Sequence, residues 1–394
     1  MVIMRILHTG DFHAGRQLRG MDRTPEIRAA LSEILSIARD SKADAVLVSG
    51  DVFDTVNPSA YAEDVVYEFY LGLREAGIPS VTIAGNHDSS ERLRSIRGLL
   101  KQVGAHMVTH VTPNLQDLVY PVQARDGTLL QVLAFPFLSE RKLVKLADIA
   151  EGNVSQWRQK YQEGMNFFLR RMASYLRPDA VNMLMMHLTF DGSLPSGSER
   201  SFTFDITNSY TVSARMLPEA LQYVALGHIH KPQQVSELPP AYYAGSIIQL
   251  DFGEAGEQKY VNLIEAEPGR PIKFQQIPLQ SGKRLKTVRV KLDQIEQMDS
   301  LNAFDGLLRV IVELPAGMGT AGLKERVAKV LPSALAIEIE ASQQDLKSRT
   351  AGRSNLSDVE LFEQYYLERH GALPAEVKEA FLEASRWTLE GEEP

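Results

Sequence analysis

Short continuous apolar runs alternate with longer stretches of helical period from residue 5 to about residue 275. The runs are Arg5-Ile6-Leu7-His8-Thr9, Ala45-Val46-Leu47-Val48-Ser49, Ser80-Val81-Thr82-Ile83-Ala84, Leu130-Gln131-Val132-Leu133-Ala134, Val181-Asn182-Met183-Leu184-Met185-Met186 and Tyr223-Val224-Ala225-Leu226. Runs of this length without a polar alternation read as strands buried on both faces. Between them, Thr24 to Asp40 and Ser59 to Ala76 repeat apolar positions near the 3.6-residue period of a helix. Ser59 can cap the second helix, Glu63 lies in its first turn and Gly77 stops it. Glu91 to Val103 carries a further stripe, Leu93, Ile96, Leu99 and Leu100. The alternation predicts an α/β fold.

Pro278 to Gly282 reads as a linker. Beyond it the pattern changes. Thr287 to Leu292 alternates like a half-buried strand, Leu307 to Leu314 and Leu335 to Glu340 read as two more, and Leu323 to Val330 as a short helix between the last two. Residues 341 to 356 are polar. Ser357 to Gly371 and Pro374 to Leu389 read as two amphipathic acidic helices, whose apolar face (Leu356, Val359, Phe362, Tyr365, Tyr366, Val377, Phe381, Trp387) has no domain of its own to cover it. The expected division is residues 1–280, 283–342 and 355–391.

The chemistry sits where the apolar runs stop. Asp11-Phe12-His13, Gly50-Asp51-Val52-Phe53-Asp54, Gly85-Asn86-His87-Asp88, Met186-His187 and Gly227-His228-Ile229-His230 each follow a run. A lone Asp in such a place is usually a turn or capping residue. Five segments together offer Asp11 and Asp51, Asn86 and several His, a nitrogen and oxygen donor set suited to Mn, Fe or Zn rather than Ca. Residues two apart in an extended chain share a side, so Asp11 and His13 are expected to project together, as are His228 and His230. A carboxylate can bridge two ions, and Asp51 is the natural bridge. Two ions about 4 Å apart can clamp the entering and leaving oxygens of a phosphodiester.

These segments resemble the calcineurin-like metallophosphoesterase superfamily and, within it, the SbcD family of DNA-repair nucleases. Ile6 to His13, Ser49 to Thr55 and Leu226 to Pro232 carry the likeness. The resemblance implies a four-layer α/β/β/α sandwich with a small α+β capping domain that helps position DNA, and a C-terminal helical tail. It implies one metal on Asp11, His13, Asp51 and His230, and a second on Asp51, Asn86, His187 and His228. The metals would be two Mn2+, with Mg2+, Fe2+ or Zn2+ possible in the same site. His87 would then face the scissile phosphate and help protonate the leaving oxygen, with Asp88 fixing the tautomer and orientation of His87. The chain departs from branches that carry His where Asp54 stands; a carboxylate there cannot neutralise a phosphate. The resemblance also implies a coiled-coil ATPase partner of the SbcC type against the tail, and a homodimer through the helices around 59–76 and 91–103, which present Val65, Val66, Phe69, Tyr70 and Leu73 on the first. His8, inside its strand, reads as a satisfied core residue.

Composition adds limits. With 394 residues, more than one core is expected. There is no cysteine, so no disulfide and no thiolate metal site, which favours a reducing cytoplasm, and the resemblance to DNA-repair nucleases implies association with the nucleoid there. No apolar run is long enough to span a membrane. The net charge of −8 sits awkwardly with DNA binding, but residues 357 to 394 hold ten acidic and three basic residues and so carry nearly all of it. Basic clusters remain at Arg16, Arg19 and Arg23, at Arg92 to Lys101, and at Lys283 to Lys291; Arg16 and Arg19, just after the first motif, are the expected phosphate contacts. No phosphate-cradling loop is present, so ATP dependence would come from a partner. The reading is a metal-dependent endo- and exonuclease acting on double-strand ends, hairpins and single strands in DNA repair and recombination. A small-molecule phosphodiesterase of the same superfamily and a non-catalytic DNA-tethering scaffold are the alternatives.

Overall fold

The computed structural model describes residues 3–138, 157–197, 211–315, 320 and 322–341, and short stretches between 359 and 381. Its strands are β1 Met4–Thr9, β2 Gln17–Leu18, β3 Met21–Asp22, β4 Ala45–Val48, β5 Ser80–Ile83, β6 Ala105–Val108, β7 Val119–Gln123, β8 Leu129–Phe135, β9 Val181–His187, β10 Tyr223–Gly227, β11 Gln233–Glu237, β12 Pro240–Tyr243, β13 Tyr260–Ala266, β14 Lys273–Pro278, β15 Arg284–Lys291, β16 Gly306–Leu314 and β17 Ala334–Ala341. The helices are α1 Thr24–Asp40, α2 Ala60–Glu75, α3 Ser90–Gln102, α4 Trp157–Ala173 and α5 Leu323–Val330. Every strand and helix read from the apolar pattern up to residue 341 lies within two or three residues of one of these. Ser59 caps α2 by accepting from the Ala62 amide.

The chain divides into two compact units, Met1–Thr287 with Phe304–Leu308, and Val288–Ala303 with Arg309–Pro394. The first holds two six-stranded sheets, ordered β14-β13-β1-β4-β5-β6 and β11-β12-β10-β9-β8-β7. In the first sheet β1, β4, β5 and β6 run parallel, with β13 antiparallel to β1. In the second β8, β9, β10 and β12 run parallel.

Side chains alternate across a strand, and here the alternation sorts two cores. Ile6, Ala45, Leu47, Val81 and Ile83 join Leu133, Met183, Met185 and Leu226 of the second sheet in one cluster. Their neighbours Leu7, Val46 and Val48 join Ile27, Leu31 and Ile34 of α1 and Val65, Phe69 and Leu73 of α2 in the other. Strands covered on both faces have no solvent side, which is why the sequence shows unbroken apolar runs. Parallel strands also bring their C-terminal ends to one edge, where ligands of open α/β sheets gather.

The second unit has its own small core of Val290, Ile295, Val310, Val312, Leu323 and Val327. Strands β15, β16 and β17 form a three-stranded sheet with β16 central. Most of the acidic tail lies outside the described residues, Trp387 among it. Within the described part, Phe362 and Phe381 stack at 4.0 Å between ring centroids and Lys378 pairs with Glu363.

Candidate metal centre

The five motif segments leave the ends of β1, β4, β5, β9 and β10 and meet. Backbone hydrogen bonds zip the first two together: the amides of Asp11, His13 and Ala14 donate to the carbonyls of Gly50, Asp51 and Val52 at 2.9 to 3.0 Å. The carboxylates then tie in the remaining segments. Asp11 accepts from the His228 amide at 3.0 Å, and Asp51 accepts through Oδ1 from the His87 amide at 2.9 Å.

Asp11 and His13 do converge, but not as an extended pair. Both have φ of +48°, as does Asp51, and His228 has φ of +100°. Non-glycine residues in the left-handed region cost backbone energy and gather at functional sites. The extended-chain argument for a shared side therefore fails at both pairs. His228 and His230 diverge: His228 lies beside Asn86, and His230 beside His13.

Two sets of donor atoms result. In the first, His13 Nε2 lies 3.1 Å from His230 Nε2, and Asp11 shares the cluster. In the second, Asn86 Oδ1 lies 2.8 Å from both His187 Nε2 and His228 Nδ1. Asp51 Oδ2 stands between the sets, 3.6 Å from His13 Nε2 and 3.4 Å from His187 Nε2. Asp11 also reaches both sets, grouping with His13 and His230 while its Oδ1 lies 4.0 Å from His187 Nδ1.

The ring hydrogens explain why these contacts suit cations. His13 Nδ1 donates to the Asp54 carboxylate at 3.1 Å and His230 Nδ1 to Glu254 at 3.0 Å. Both Nε2 atoms are then lone pairs, facing each other. His187 Nδ1 donates to the Ser49 carbonyl at 2.8 Å, which leaves Nε2 as the ring nitrogen that faces the Asn86 oxygen. Acceptors this close repel unless a cation or proton lies among them. Cis ligands at about 2.1 Å from a metal lie about 3 Å apart, the spacing seen here. The donor set thus fits divalent cations, and Asp11, His13, Asp51, Asn86, His187, His228 and His230 are the residues placed to hold them.

Electrostatics follow the same design. Burial works against the charged form of His187, yet Asp51 and Asp11 raise its pKa to about 9. Burial lowers His13 to about 4, and burial with the His187 charge lowers His228 to about 3. Burial, with the Asp51 charge, pushes Asp11 up to about 6. Burial also opposes the Asp51 carboxylate, but His187, His13 and His87 outweigh it and hold the group below its ordinary range.

Not every expected role survives. Asp88 does not touch His87. Its buried carboxylate accepts from the amides of Val52, Phe53 and Gly85 at 3.2, 3.0 and 2.8 Å, so it pins the two loops that carry Asp51 and Asn86. His87 is oriented instead by the Asp54 carbonyl, which accepts from its Nδ1 at 2.9 Å. The half-buried His87 ring lies 4.8 Å from that of His13. Arg16 donates to Asp54 at 3.2 Å; Arg19 is exposed. Arg23 is not part of a basic surface: it is fully buried, bonded to Glu26 and the Gln249 carbonyl. Val65, Val66, Phe69, Tyr70 and Leu73 are buried in the chain's own core and present nothing outward, whereas Leu71 and Leu99 are 47% and 74% exposed.

Two residues escape a reading of the sequence. Glu254, fully buried, accepts from His230, Ser246, the Leu250 amide and Lys259, the last at 2.7 Å. Its pKa is held below the ordinary range: burial opposes the charge, and Lys259 and His230 overcome it. No local motif marks it. Asp54 is visible three residues after Asp51, but as a departure rather than as a ring-holding group.

The calcineurin-like phosphoesterase pattern matches residues 4–232. The chain is 37% identical over 285 residues to the SbcD component of nuclease SbcCD from Bacillus subtilis (strain 168), covering 72% of this chain and 71% of that one. It is 31% identical over 343 residues to the protein of the same name from Rhodobacter capsulatus, covering 81% and 84%. With that from Escherichia coli (strain K12) it shares 32% over 280 residues, covering 68% and 66%.

Proposed function

This chain belongs to the calcineurin-like phosphoesterase family and is a dimetal phosphodiester hydrolase of the SbcCD nuclease type, and we propose that it cuts DNA with two manganese ions at the centre described above. The observation that carries the reading is the pair of donor sets sharing Asp51, with His87 beside them. When bound, the ions supply Lewis acidity to the phosphate and orient the attacking water. The chain's own residues do the rest. Asp11, His13, Asp51 and His230, and Asp51, Asn86, His187 and His228, hold the ions. With Nδ1–H given to the Asp54 carbonyl, His87 keeps Nε2 for the proton that the departing sugar oxygen needs. Arg16 and Arg19 contact DNA phosphates.

The small three-stranded unit positions DNA, and the acidic tail docks an SbcC-type ATPase. A homodimer forms through the outer faces of α2 and α3, where Leu71 and Leu99 are exposed. The proposed setting is the cytoplasm, at the nucleoid, in repair and recombination. That the relatives are components of an SbcCD nuclease supports the partner; among the described residues no helix is long and apolar enough to cross a membrane.

The test is cleavage of an end-labelled DNA hairpin in Mn2+ by the native chain and His87→Ala. The expected result is metal-dependent cutting that His87→Ala slows by about 10²- to 10⁴-fold, with two Mn2+ still bound per chain. Brisk hydrolysis of a small phosphodiester with no cutting of DNA would move the assignment to a small-substrate enzyme. Inactivity on both, with little metal bound, would leave a DNA-tethering scaffold.

A further inference from the structure

Asp54 is the residue whose type the motif left unexplained, and it touches three functional groups at once. Its Oδ1 accepts from His13 Nδ1 at 3.1 Å and from Arg16 Nη1 at 3.2 Å. Its carbonyl accepts from His87 Nδ1 at 2.9 Å, and its own amide is anchored on the Ala14 carbonyl at 3.1 Å. The carboxylate is largely shielded, 14% exposed, beside a His13 ring that is 1% exposed. The Arg16 side chain is 20% exposed, and its Nε is buried with no hydrogen-bond partner among the described residues.

We infer that Asp54 is a positioning residue that sets the strength of the first metal position through His13 and aims the Arg16 guanidinium at the rim of the centre, while its carbonyl holds His87. The inference rests on the metal assignment above and deepens it. An anionic acceptor behind an imidazole fixes the tautomer and makes the opposite nitrogen a stronger ligand. Here one oxygen serves both His13 and Arg16, so the two compete for its charge. A carboxylate at this position does not meet the phosphate; it places a cation that can. The same arrangement explains how a chain can carry Asp54 beside a phosphodiester site without repelling its substrate.

The geometry separates this role from that of a simple loop brace. Substituting the side chain leaves the Asp54 carbonyl, and so the hold on His87, in place. Asp54→Asn keeps an oxygen for His13 but loses the charge; Asp54→Ala loses both. Mn2+ binding to the full chain, measured by calorimetry, is expected to show two positions in each variant, one of them weakened by about 10- to 100-fold. At saturating DNA, hairpin cutting by the Asp54 variants is expected to fall at low Mn2+ and to recover at high Mn2+, whereas His87→Ala does not recover. Arg16→Gln, which leaves the Asp54 charge to His13 alone, is expected to bind Mn2+ at least as tightly as the native chain while its KM for DNA rises.

Native Mn2+ affinity in both Asp54 variants overturns the inference. A loss of activity at saturating DNA that no Mn2+ concentration restores overturns it too, since that is what a brace would give. Weakened Mn2+ binding in Arg16→Gln would overturn the competition between His13 and Arg16. His13→Ala reports on the metal assignment itself: if it still binds two Mn2+ with native affinity, the assignment falls, whatever the Asp54 variants do.

Discussion

His8 and the histidines of the centre are the same residue type, and what their second nitrogen meets separates them. Both His8 nitrogens are used up in the core, Nδ1 against the Tyr223 hydroxyl at 2.9 Å and Nε2 against Ser49 Oγ at 3.0 Å. His13, His187 and His230 each spend one nitrogen on an oxygen acceptor and turn the other inward. Burial lowers the pKa of His8 to about 3. The sign of its effect on stability follows. Near pH 7 the ring is neutral in both states. As pH falls through 6.5 the unfolded chain takes up a proton that the folded chain refuses, so stability drops down to about pH 3, by up to about 1.4 kcal/mol per pH unit. Urea unfolding at pH 7 and pH 5 should show the native chain losing roughly 2 kcal/mol more than His8→Asn over that interval. Equal losses would mean that His8 is charged in the fold. At this scale the sequence exposed the ligand types, because Asp, Asn and His cut short an apolar run. It did not expose Glu254, whose partner His230 is 24 residues away and whose own surroundings carry no pattern.

At the scale of elements, the centre exists because five strand ends approach closely, and glycine permits the approach. A Cβ on Gly227 would collide with the Ser49 carbonyl oxygen and with His187 Nδ1. The Ser49 carbonyl is backbone and also orients His187, so it cannot give way. Gly227→Ala is expected to push β10 from β4, with loss of Mn2+ from the position of Asn86, His187 and His228 and loss of hairpin cutting. A variant that binds two Mn2+ and cuts normally would show that the strand ends separate at no cost. Strands and helices themselves were legible, since period and capping chemistry are local. The backbone at the strand exits was not. An apolar run predicts where extended structure stops, but the left-handed turns at Asp11, His13 and Asp51 are imposed by hydrogen bonds between segments far apart in the chain.

For the whole molecule, the metals are a stability term as well as a chemical one. The buried carboxylates and imidazoles of the centre, with acceptor atoms facing one another, carry an electrostatic penalty that cations relieve. An ion that binds only the folded chain stabilises it by about 2.7 kcal/mol when present at a hundred times its Kd. Calorimetric melting in EDTA should therefore show a lower Tm for the first unit, by several degrees, recovered on adding Mn2+. An unchanged Tm would mean that the donor sets hold no ion under those conditions.

The sequence by itself determined the strand and helix order, the α/β class, the residue types gathered at the centre and the family, because each is written in local period or in short motifs. Tertiary structure decided the division of labour. It turned Asp88 into a loop pin, gave the hold on His87 to the Asp54 carbonyl, and buried Arg23 and the apolar stripe of α2. Each of these depends on which distant segment supplies the opposing hydrogen-bond partner or the covering side chain, and pairing across a sheet edge or a core leaves no mark within a short stretch of chain.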